Sequence, residues 1–136
     1  MNKFWTDSYP ESVSAEVSCE YKMLLNFFDN TFAKYAQTEL STNMGVTYSY
    51  EQIDNISRDV AAWIQSLGLA KGAKIGIMMP NLNQYYPIVV GIIRAGMVLT
   101  TINPLYTARE LKHQLTDSDA AVIFILEPFC ETLNKV

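Results

Sequence analysis

Three short apolar runs constrain this chain more than any other feature: KIGIMM (74–79), MVLTTI (97–102) and AAVIFIL (120–126). Each is too short for a typical helix, and each is apolar nearly throughout, as a strand covered on both faces would be. Each run also ends at a breaker, in Pro80-Asn81, Asn103-Pro104 and Glu127-Pro128 respectively. Proline has no N–H to give to a ladder, so a strand stops where it stands.

The intervals between the runs have helical character. From Asn83 or Gln84 to Ala95 the chain is apolar almost all round (Val89, Val90, Ile92, Ile93), the pattern of a helix sandwiched between layers. Pro87 is tolerable only in a first turn, which sets where that helix starts. Gly96 stops it. In the next interval, Thr107 and Glu110 have the spacing of a capping box, and Tyr106 with Leu111 that of a hydrophobic staple. This predicts a helix from Thr107 to about Leu115, with 117–119 (DSD) turning the chain. Ahead of the first run, Ser49 and Gln52 again suggest a capping box. Tyr50, Ile53, Ile56, Val60, Ile64 and Leu67 form one stripe behind it, and Gly68 is the expected C-terminal cap.

From residue 49 onward the order is therefore helix and strand in alternation, closing on a helix-like start in FCETLNKV. That order predicts an α/β fold with a parallel sheet made of βαβ units, right-handed crossovers and flanking helices. Residues 22–36 have helical spacing at Leu24, Phe27, Phe28, Phe32 and Tyr35. Residues 38–48 read as polar and turn-forming, with a short strand at Thr47-Tyr48. Residues 1–21 show no period and read as an extended lead-in.

Composition narrows the function classes. The net charge is −4, and the lysines and arginines are scattered, so no basic nucleic-acid footprint is present. Cys19 and Cys130 stand far apart in a chain with one histidine, which argues against zinc and against a disulfide framework. Reduced thiols and a cytosolic setting are the expectation. The first twelve residues contain no apolar run and are not expected to act as a signal peptide. The apolar stretch 85–102 is not expected to cross a membrane, because Pro87, Arg94, Gly96 and Thr100-Thr101 divide it into a helix and a strand.

The common catalytic motifs are missing: no GxGxxG follows a strand, and there is no GxxxxGK[ST] or GxSxG. His113 lies on the third helix without an identifiable partner and reads as a solvated helix residue. Glu110 reads as a cap, Asp117 and Asp119 as turn formers, and Tyr85, Tyr86 and Trp63 as core or interface aromatics. We assign no catalytic, cofactor-binding or metal-ligating residue within the chain.

Several stretches together resemble a known family. MMPNLNQYYP (78–87), GIIRAGMV (91–98) and NPLYTARELKHQL (103–115), with Trp5 and Tyr9-Pro10 near the start, are similar to the N-terminal part of the adenylate-forming enzymes. Within that group the resemblance is greatest to bacterial long-chain fatty-acid–CoA ligases. It implies a two-step reaction, in which a fatty acid and MgATP form an acyl-adenylate and pyrophosphate, and coenzyme A then takes the acyl group and releases AMP. It also implies that residues 22–136 are the first part of a large AMP-binding domain. The family's Ser/Thr/Gly-rich phosphate loop, its nucleotide contacts and its C-terminal catalytic lysine have no match in these 136 residues. The expectation is thus an N-terminal portion of a ligase, inactive by itself. The alternatives are a non-catalytic product, an interaction partner for a separately encoded remainder, or a ligase of other chain-length or aryl specificity. The resemblance further admits a homodimer and peripheral contact with the inner face of the membrane, although the polar face of 22–36 is not notably basic.

Overall fold

The structure is a computed structural model and describes residues 4–136. Its centre is a three-stranded parallel sheet of β3 (Lys74–Met78), β4 (Val98–Thr101) and β5 (Ala120–Ile125), in the order β4-β3-β5. The three expected runs thus pair in parallel, with the first of them in the middle. Lys74 stands opposite Val98 on one side and Ala120 on the other. On the β5 side the register shifts after Lys74, so that Ile75 meets Val122 and Ala121 is left over as a bulge.

Four helices cover this sheet on its two faces. On one face lie α2 (Tyr50–Ser66) and α3 (Tyr85–Arg94), packed on Ile75, Ile77 and Met79 of the central strand and its exit. On the other lie α4 (Ala108–Ser118) and the short α5 (Cys130–Leu133), packed around Met78, Ile102 and Leu111. The chain moves from β3 to β4 in one direction, then back past β3 to reach β5. Opposite directions of travel put the two crossover helices on opposite faces, as right-handed connections require.

Two glycines let the layers close up. A Cβ at Gly91 of α3 would stand 2.6 Å from Val60 Cγ1 and 3.0 Å from the Ser57 carbonyl oxygen, so α2 and α3 meet almost backbone to backbone there. A Cβ at Gly76 of β3 would meet Ile102 Cδ1 at 2.9 Å. α3 is sandwiched as its composition suggests: Ile92 faces the sheet, while Val90 faces Phe32 and Ile53 in a second cluster. Phe32 belongs to α1 (Leu24–Lys34), which lies across α2 and α3.

The structure corrects four expectations. The lead-in is not wholly extended, since Phe4–Ser8 form a 3-10 turn; residues 1–3 lie outside the described residues. The segment 38–48 is not loop plus one short strand but a hairpin, β1 (Glu39–Asn43) paired antiparallel with β2 (Val46–Ser49). β1 reads ELSTN, with Leu40 its one apolar residue, so no apolar alternation marks it; besides the backbone ladder, the Thr42 and Thr47 hydroxyls share a hydrogen bond of 2.7 Å across the pair. α4 continues to Ser118, which makes Asp117 and Ser118 helical; the turn is Asp119 alone, at φ 51°. Lastly, β4 and β5 are not buried on both faces. They flank β3, and Val98 of β4 is 48% exposed.

The caps follow the sequence closely. Ser49 accepts a bond from the Gln52 N–H while the Gln52 side chain takes the Ser49 N–H, and Gly68 follows α2 at φ 67°. Among the described residues, no helix is long and apolar enough to cross a membrane.

Candidate functional site at the carboxyl rim of the sheet

Parallel strands all present their carboxyl ends at one rim. In open α/β sheets ligands bind outside that rim, where neighbouring strands send their exit loops to opposite faces. Here β3 exits through 79–84 to α3 on one face, and β4 exits through 102–107 to α4 on the other. The two loops therefore lead away to opposite faces. The rim itself is firmly tied: the Ile102 N–H donates to the Ile77 carbonyl at 2.8 Å, and the Leu126 N–H to the Met78 carbonyl at 3.3 Å.

The β4 exit is built from local devices. Asn103 Oδ1 accepts the Leu105 N–H at 3.0 Å, and the Asn103 carbonyl accepts the Tyr106 N–H at 3.1 Å. One residue later the Thr107 hydroxyl oxygen receives the Glu110 N–H at 3.4 Å. The Glu110 carboxylate receives the Thr107 N–H at 2.8 Å and its hydroxyl at 2.7 Å. These bonds, first the backbone one and then the hydroxyl, hold Glu110 below the usual carboxylate range. Leu105 is left 83% exposed at the tip of this rigid loop.

Two cavities open beside the rim. One, of about 430 Å³, runs along α4 between Tyr106, Arg109, Glu110, His113 and Gln114. His113 and Arg109 sit one turn apart there and are exposed, and the His113 side chain makes no hydrogen bond or ion pair among the described residues. The other, of about 230 Å³, lies between the hairpin (Asn43, Met44, Val46, Tyr48) and the β3 exit (Leu82, Asn83, Gln84). Asn83 joins its two walls. It is 4% exposed, accepts from Ser41 Oγ, and donates through Nδ2 to the Val46 carbonyl at 2.8 Å. Sequence reasoning missed Asn83, because its partners are about forty residues away and nothing local marks them.

The remaining sequence candidates line neither cavity. Trp63 lies edge-on to Phe124 at 5.4 Å and is half exposed. Tyr85 packs in the main cluster, and Tyr86 is exposed. Asp119 pairs with Lys74 at 3.3 Å on the surface, while Asp117 is exposed on α4. Arg94, at the far end of α3, binds Asp54 at 2.7 Å and Asp29 at 2.9 Å, bracing α1 and α2 against α3. Both cysteines are free thiols. No group of three His, Cys, Asp or Glu that could hold a metal lies among the described residues. The rim thus carries a capped helix start, with Arg109 and His113 exposed on the helix behind it and the N–H groups named above already bonded within the protein.

A parallel sheet with helices on both faces, joined by right-handed crossovers, defines an α/β fold. The family model described as "AMP-binding enzyme" matches residues 28–136, and the chain belongs to that family. Among curated relatives it is similar to the long-chain-fatty-acid–CoA ligase of Salmonella typhimurium, at 44% identity over 138 aligned positions covering 100% of this chain and 25% of the relative. The Bacillus subtilis ligase of the same name is 30% identical across 92% of this chain and 22% of its own length. The chain thus spans about a quarter of the length of these relatives. Among solved structures, VinN in complex with L-aspartate superposes with a TM-score of 0.78 at 23% identity, over 84% of this chain and 32% of that one. The anthranilate CoA ligase AuaEII in complex with anthranoyl-AMP gives 0.76 at 18% identity, over 81% and 21%. At such identities these two establish the fold.

Proposed function

We propose that these residues are the N-terminal portion of a long-chain fatty-acid–CoA ligase. In this reading residues 1–21 form a lead-in, and 22–136 are the first part of the AMP-binding domain. The observation that carries it is the 44% identity to ligases of that name along the whole chain. The reaction would be fatty acid plus ATP to acyl-adenylate and pyrophosphate, then attack by coenzyme A to give acyl-CoA and AMP. The described residues contribute the sheet, its rim and the rigid β4 exit. They supply positioning; the charge stabilisation that adenylate formation needs is assigned to none of them. Magnesium, which the reaction implies, finds no fitting ligand set among them, and no step through it is assigned to these residues.

The test is an ATP–pyrophosphate exchange assay with palmitate on the protein encoded by the complete reading frame. Palmitate-dependent exchange, followed by acyl-CoA formation when coenzyme A is added, is the expected result. Exchange that responds to an aryl or short-chain acid and ignores palmitate would overturn the substrate class. The 136-residue chain alone is expected to give no exchange above a no-enzyme control. The same reading has the enzyme working in the cytoplasm and meeting its substrate at the inner face of the membrane, which co-sedimentation with phospholipid vesicles tests.

A further inference from the structure

We draw no further inference here: the strongest candidate, the set of exposed apolar side chains along the amino-terminal segment and α1 (Phe4, Trp5, Val17, Leu24 and Phe27), carries nothing because nothing in the structure shows what covers it.

Discussion

The two faces of the sheet are covered by different means. On the α2–α3 face, two helices of 17 and 10 residues lie against the strands and against each other. Gly91 brings their backbones together, and Ile64, Ile75, Ile77 and Ile92 are fully buried or nearly so. On the α4–α5 face, one 11-residue helix and one single turn do the covering. Met78, Ile102 and Leu111 are buried there; Ile123 and Ile125 of β5 are half-buried, as Val122 and Phe124 are on the first face. The first face owes its order to tertiary packing. Each face has a capping box, Ser49–Gln52 on α2 and Thr107–Glu110 on α4; the second, with less helix over it, adds the Asn103 turn, and it is the face toward which the β4 exit and the α4 cavity open. Rigidity close to the rim thus comes from short-range hydrogen bonds, and rigidity away from it from interlocked side chains.

The largest expected effect separates the faces directly. Large-to-small substitutions in a core cost about 2–5 kcal/mol, and the figure falls where the surroundings can collapse into the gap. Ile92→Ala should therefore lie in the upper half of that range and Leu111→Ala in the lower half, by urea denaturation, although both side chains are wholly buried. Equal losses would break the comparison.

A smaller contrast concerns the two glycines. Gly91→Ala would press a methyl group onto Val60 and the Ser57 carbonyl, on a helix backbone that cannot yield easily. Overpacking of that kind costs roughly 1–3 kcal/mol, of which the better helix propensity of alanine returns at most about 1 kcal/mol. Gly76→Ala meets chiefly the terminal methyl of Ile102, which can turn aside, so it should lower the denaturation midpoint less. A larger loss at Gly76 would mean that the α4 face is the tighter one.

The smallest effect sharpens the account of the rim. Thr107→Ala removes an N-cap worth about 1 kcal/mol. The partner carboxylate gives it a pH signature. Glu110 is held below its ordinary range in the folded chain, so its stabilising contribution is present above the unfolded glutamate value of about 4.3 and is lost as pH falls through the lower folded value. Glu110→Gln should weaken that acid dependence, leaving the neutral-pH midpoint little changed. Thermal midpoints of the chain and both variants, followed from neutral to acid pH, check it. Parallel acid profiles for the chain and Glu110→Gln would contradict the capping account.

What could be read in advance divides by range. Both capping boxes, Gly68 and Gly96 were legible because their partners lie within a few residues. The three strands were legible because burial leaves an apolar run. The β1 strand was not, since ELSTN has one apolar residue, Leu40, and so shows no apolar alternation. The end of α4 was misread because Asp119 takes the left-handed conformation usually left to glycine or asparagine, and aspartate there looks like any turn former. The order β4-β3-β5, the Asn83 bonds to the hairpin and the cavity along α4 all depend on residues brought together from far apart. The family resemblance survived these gaps, since it rests on stretches of sequence and not on their arrangement.

The central claim is that the first apolar run is the middle strand of a parallel sheet, with the two later runs on its flanks. Residue-resolved amide hydrogen exchange on the 136-residue chain tests this most directly. The account predicts the slowest exchange in β3, bonded on both sides, and alternating slow and fast amides along β4 and β5, each bonded to β3 on one side. Uniform protection along 97–102 and 120–126, with faster exchange in 74–78, would contradict it.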